Sequence, residues 1–204
     1  MGAQEINHEF LCEDLKFLGY GDHLNMLVKM AMAAAKTQFD VGFPCQAEGL
    51  PMQAILFFEK KDPEGFFFLT GHRLILRDRS HHFAIVKGRG VTLKEGYHLL
   101  CGRAVFKELR GRNGQKHQAW IQLDLNKGDG HGFKMNIYHE SYGFDLQAEL
   151  EKNSGFVSLD ASLRAKIQKV LESGDYIDTY LREDGELKLV RMWADPTKKM
   201  VHIV

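Results

Sequence analysis

The sequence predicts an α+β fold with mostly antiparallel sheets, and three observations carry that prediction. Apolar residues recur at helical spacing over the first 36 positions. Short runs rich in β-branched and aromatic residues then follow one another, with glycine-containing turn sequences between them. Further helical segments, beginning near residues 92 and 160, interrupt those runs.

Residues 4–18 place Ile6, Phe10, Leu11, Leu15 and Leu18 on one stripe of a helix. The Gly19–Asp22 segment breaks it, and Asp22 is in position to cap a second helix running to about Lys36. Leu24, Leu27, Val28, Ala31 and Ala35 form the apolar face of that second helix. Together the two make an N-terminal helical hairpin. Strand-forming runs follow at TQFDVGF, MQAILFFEK, GFFFL, RLIL and HFAIVK, with a hairpin turn expected at DPEG, 62–65.

The stretch VKGRGVTLKEGYHLL, from Val86, then sets two glycines and two bases ahead of a helix expected over 93–101. Thr92 and Glu95 have the spacing of a capping box, in which each side chain bonds the other residue's backbone amide. The glycines do not match a nucleotide loop. Gly88 and Gly90 are present, but the sixth position of a dinucleotide fingerprint is Leu93, and no Walker sequence occurs. A glycine turn followed by a cap accounts for the segment without an anion.

Strands RAVFKEL, HQAWIQLDL and FKMNIYHE come next, joined at RGRNGQ and NKGDGHG. A short helix covers DLQAELEK, and Ser158 or Asp160 can cap another that runs to Ser173. YIDTYLR, ELKLVRMW and MVHIV close the chain as strands. Helices near 22, 92 and 160, each followed by strands, suggest up to three α-β-β-β-like units, a repeat of architecture and not of sequence. The domain expectation is a hairpin over 1–36, a central α+β domain over 37–152, and a C-terminal helix with three strands over 153–204.

Composition narrows the function classes. Apolar residues make up 44% and charged residues 26%, as in ordinary globular proteins. Lys and Arg balance Asp and Glu at 27 each, so no global field selects a polyanion or a membrane. Cys12, Cys45 and Cys101 are odd in number and widely spaced, which fits a reducing compartment and not a disulfide framework. With a polar opening segment and no long apolar run, the expected location is the cytoplasm, with no membrane partner. Ten histidines invite a metal reading, yet no Cys-x-x-Cys, His-Glu-x-x-His or His-x-x-x-His spacing occurs. No nucleophile elbow or local cysteine signature is present, and the paired carboxylates lie where turns and helix faces are solvated. No catalytic residue, metal or cofactor is assigned.

Charge is unevenly distributed. Residues 71–116 hold eleven Lys or Arg against three acids, whereas residues 140–186 hold eleven acids against five bases. Strand alternation in HQAWIQLDL groups Ala119, Ile121, Leu123 and Leu125 and leaves Trp120 on the opposite, polar face. The same logic in FKMNIYHE puts Phe133, Met135 and Ile137 inside and Tyr138 outside. Aromatics on a polar face near bases are the pattern of a stacking platform for single-stranded nucleic acid. The other reading, and the favoured one, is that a helix or another sheet covers this face, where Trp and Tyr are at home.

EDLKFLGYG, KGRGVTLKEGYHLLCGRAVFKEL, AWIQLDL and YHESYGFDLQAELEK together resemble an uncharacterised domain family of anaerobic gut bacteria, often encoded on conjugative or other mobile elements. The resemblance runs from about Glu13 to Lys152. It implies an accessory or binding role and no catalytic residues. The expected function is therefore a non-catalytic binding module that meets nucleic acid or another protein through the basic region. Its expected contacts are Arg73, Arg77, Arg79, Lys87, Arg89, Arg103, Lys107, Arg110 and Arg112, with Trp120 as a stacking surface. The alternative is self-association, with basic and acidic regions paired between subunits; an enzymatic role would need a site assembled from distant residues.

Overall fold

A computed structural model describes residues 2–204 apart from 64, 111–114, 130, 131 and 184. The class is α+β, with every described strand pairing antiparallel. The chain divides into two units: residues 1–100 with 128–133, and residues 101–127 with 134–204. The N-terminal helices share a unit with the first sheet because their apolar stripes have no other surface to cover.

In the first unit, α1 (Ala3–Phe17) and α2 (Asn25–Ala34) precede a four-stranded meander, β1 (Gln38–Ala47), β2 (Leu50–Lys60), β3 (Phe67–Leu76) and β4 (Arg79–Ala84), and α3 (Leu93–Leu100) follows it. Asp22 does not cap α2. Leu24 occupies the cap position, and Asp22 instead bonds the Asn25 amide group and Lys16. GFFFL and RLIL, expected as two strands, are one continuous strand. The irregularity that separates them is a bulge, where register shifts opposite Phe57 and Phe58. The helices pack on one face of the sheet, where Met52, Ala54, Leu56, Phe58, Leu69, Leu74 and Phe83 are buried. Asn7 ties α1 to β3 by donating to the Phe67 carbonyl (2.9 Å) and accepting from its N–H (2.8 Å).

The VKGRG segment is a turn that seats α1 and α3. Val86 and Arg89 form an isolated bridge around it, and Gly88 has φ +68°. A Cβ at Gly88 would overlap the Asp14 carboxylate of α1. The α3 amides are already taken: Glu95 N–H donates to Thr92 Oγ1 (3.3 Å), Thr92 N–H to Glu95 Oε2 (2.7 Å), and Leu93 N–H to the Leu18 carbonyl (2.8 Å). The capping box is thus intact, and no amide of it faces an anion.

In the second unit, β5 (Val105–Arg110), β6 (Lys116–Asp129) and β7 (Gly132–His139) form one three-stranded sheet. Their hairpin tip, 128–133, belongs to the first unit. Helices α4 (Leu146–Glu151), α5 (Ser154–Val157) and α6 (Ala161–Glu172) lead to a second sheet of β8 (Ile177–Glu183), β9 (Glu186–Asp195) and β10 (Met200–Ile203), ordered β10-β9-β8. Of the two caps expected for α6, Asp160 is used, accepting from Leu163 N–H at 2.9 Å. The unit's core gathers Trp120, Phe144, Leu150, Phe156, Ile167, Leu171, Leu181 and Met192. Among the described residues no helix is long and apolar enough to cross a membrane.

Candidate nucleic-acid interface

A four-stranded sheet with helices on one side presents its other side as a row of alternating positions. In the first unit that other side carries Ile55 and Phe57 from β2, Gly71, Arg73 and Ile75 from β3, and Ser80 and His82 from β4. Ile55 stands opposite Arg73, which stands opposite His82. The His82 ring lies 5.3 Å from the Phe57 ring, tilted by 46°. Gly71 makes this approach available, since a Cβ there would lie 2.6 Å from His82 Cε1. Phe68, with Lys61 at 5.6 Å from its ring, is 46% exposed at the start of β3.

The face runs into an open depression of about 770 Å³ lined by Pro44, Gln53, Ile75 and Arg77. Arg77 is exposed at the β3–β4 turn, with a left-handed backbone at φ +56°. Burial, with Arg73 beside it, pushes the His82 imidazole below its usual range, so that it is neutral at pH 7. Acids on this face, Asp40 and Glu59, lie on β1 and β2, and Asp78 follows Arg77 in the exposed β3–β4 turn.

The expected contacts divide between the two units. Arg73, Arg77, Arg79, Lys87 and Arg89 belong to the first; Arg103, Lys107 and Arg110 belong to the second. Arg79 donates to the Leu100 carbonyl (2.9 Å) and so closes α3 internally. Arg89 is exposed, but its guanidinium sits 3.9 Å over the Phe17 ring. Lys87 is exposed at φ +52° in the same turn. Arg103 pairs with Asp175 (3.3 Å) and stacks over Tyr176 (4.8 Å), which places a base of the basic region against an acid of the acidic region inside one unit. Lys107 is half-buried in β5. Arg112 and the Arg110 side chain lie outside the described residues.

Trp120 is not a stacking surface. It is 4% exposed, packed between Phe106 (5.3 Å) and Phe144 (5.4 Å), because helices cover the face that strand alternation marked as polar. For the same reason Tyr138 packs inward while Ile137 is 47% exposed, the reverse of the expected orientation. Phe57, Gly71 and His82 were not singled out from the sequence. Alternation in MQAILFFEK, which opposes Ile55 and Phe57 to Leu56 and Phe58, is the signal that would have found Phe57; Gly71 and His82 join it only through strand pairing.

The Cys12–His8 contact in the first unit does not lower the thiol's pKa. Cys12 lies 3.5 Å from His8 Nε2, but that nitrogen also meets the Asn25 carbonyl at 2.7 Å. Burial and Asp22 push the Cys12 thiol up, and burial does the same to Cys45. His98, fully buried, is held by Glu48 Oε1 at 3.1 Å, and Tyr97 donates to the same carboxylate at 3.2 Å, a satisfied core imidazole. Comparison of the chain with family models, with curated proteins and with solved structures finds no match.

Proposed function

We propose that this chain is a non-catalytic binding module for single-stranded nucleic acid, and that the open face of β1–β4 is the contact surface. The observation that supports this is the juxtaposition of Arg73, the His82–Phe57 ring pair and the Arg77 depression on the uncovered side of one sheet. Rings on an open sheet stack with bases of any sequence, while adjacent guanidinium groups meet the backbone. A cytoplasmic location, expected from the composition, and an accessory role on a mobile element, which the family resemblance implies, belong to the same proposal. Pairing of basic and acidic regions between subunits has less support, since Arg103 already meets Asp175 within its own unit.

The test is fluorescence anisotropy with labelled oligo-dT and oligo-rU at low and at physiological salt. Binding is expected to weaken steeply with salt, and the Arg73→Ala/Arg77→Ala variant is expected to lose at least about tenfold in affinity and to flatten the salt slope. Phe57→Ala is expected to weaken binding with the slope unchanged, because stacking releases no counterions. Absence of binding at low salt by the folded protein removes the proposal.

A further inference from the structure

The sheet of β8, β9 and β10 turns Leu181, Val190 and Met192 into the core of the second unit. Its central strand, β9, is paired on both sides over only half of its length. On the β8 side the ladder is complete, from Ile177 opposite Met192 to Glu183 opposite Glu186. On the β10 side it runs from Met200 opposite Asp195 to Ile203 opposite Met192. Arg191 and Val204 add one further pair, in which each N–H donates to the other's carbonyl (2.7 and 3.0 Å). Backbone groups alternate in direction along a strand, so Leu189 and Leu187 point theirs the same way as Arg191. Among the described residues no strand pairs with them on that side. Elsewhere this sheet has helical neighbours, since α5 packs against β8 and α4 against β10.

The side chains at the unpaired edge are apolar. Leu187 (63% exposed) stands opposite Arg182, and Leu189 (63%) opposite Tyr180 (59%). Val204, beside Arg191, is 71% exposed. The charged groups in these rows are engaged already, Arg191 with Asp178 (2.7 and 2.8 Å) and Arg182 with the Gly185 carbonyl (2.9 Å).

From this half-paired strand we infer that the edge at 186–190 docks an extended segment of a partner protein, which adds a strand antiparallel to β9 and in line with β10. Leu187 and Leu189 each offer that segment an N–H and a carbonyl, a pattern that an extended backbone completes and a helix does not. The partner residues opposite them are two apart, and their side chains emerge beside the two leucines. Apolar strand formers at alternate positions therefore fit. Tyr180, Leu187, Leu189 and Val204 together expose on the order of 400 Å², about half of the ~800 Å² that each side of a stable protein complex buries. That area suits one added strand and falls short of a dimer built on this patch. The site lies in the second unit and does not rest on nucleic-acid binding by the sheet of the first.

The test uses the full chain, isotope-labelled for amide NMR. Without ligand, the Leu187 and Leu189 amides are expected to exchange at least about tenfold faster than those of Lys188 and Val190, which face β8. The probes are end-capped seven-residue peptides with valine, isoleucine or tyrosine at the third and fifth positions, threonine between and beside them, and lysine at both ends. Saturable shifts centred on the Leu187 and Leu189 amides are expected, with their exchange slowed. N-methylation of the third and fifth residues removes the donors that face β9 and is expected to weaken binding at least about tenfold, whereas N-methylation of the fourth leaves it unchanged. Leu189→Pro deletes an outward N–H without touching the β8 ladder and is expected to abolish the shifts, with circular dichroism confirming the fold. Leu189→Lys keeps that donor, removes the apolar contact and is expected to weaken every peptide. Equal protection of the four amides, no saturable shift at the edge with any peptide, or equal binding of the two N-methylated forms overturns the inference. Concentration-dependent dimerisation through the same amides, seen by light scattering, also overturns it, since the edge then belongs to a second copy.

Discussion

At Gly88 a backbone angle and a side chain from another element compete for the same space. Its φ of +68° costs any residue with a Cβ, and the Asp14 carboxylate occupies the volume that a Cβ would fill. Gly88→Ala is therefore expected to destabilise the protein by roughly 2 kcal/mol or more, read as a lower urea midpoint, with partial recovery in Gly88→Ala/Asp14→Ala. His82 gives a second residue-scale prediction. Its folded pKa is depressed by burial and by Arg73, so its contribution to stability is present above the unfolded value of 6.5 and is lost as pH falls through the folded one. Protonation also adds a charge to the proposed contact face. Acidification below pH 6.5 is thus expected to lower thermal stability and to tighten oligonucleotide binding, and His82→Gln is expected to flatten both profiles. A binding profile unchanged by His82→Gln would place that ring outside the contact.

Among the elements, α3 shows how a local sequence signal settles a functional question. Thr92 and Glu95 close the capping box, and the Leu18 carbonyl takes a further amide, so the helix start that looked like an anion grip is saturated. Thr92→Ala is expected to cost about 1 kcal/mol in denaturant unfolding and to leave oligonucleotide affinity unchanged. The capping box and the Asp160 cap were legible because their partners are three residues away in sequence. Of the stripe expected on α1, Leu11, Leu15 and Leu18 are buried, whereas Ile6 and Phe10 are exposed. The role of Asp22 was not, because its turn is set by contacts with Lys16 and Asn25 and not by the start of α2. In β6 the strand was legible, but what covers its second face was open for a different reason. Strand alternation assigns residues to two faces, but whether the second face meets water or helices is not a property of the strand.

For the whole molecule, the division into two units with separate cores has a measurable consequence. Phe156 and Leu56 are both fully buried, one in each unit. Truncation of either to alanine is expected to cost about 3–5 and 2–5 kcal/mol respectively. Hydrogen exchange is expected to show the larger loss of protection in the unit that carries the substitution; an equal loss in both would mean that the chain unfolds as one cooperative body. The basic region, continuous over 46 residues in sequence, is divided at residue 100 between these units. Part of it is spent inside the fold, at Arg79 and Arg103.

What the sequence determined by itself was the α+β class, most element positions and the capping box at the start of α3. Each depends on periodicity or on partners a few residues apart, so the information is local. Tertiary structure alone decided which sheet faces are covered, which bases remain in solvent, and that Trp120 is buried between Phe106 and Phe144 while Phe57 and His82 pair on the other side of the first sheet from its helices. Those outcomes depend on what packs against each strand, and the residues involved are separated by tens of positions in the chain.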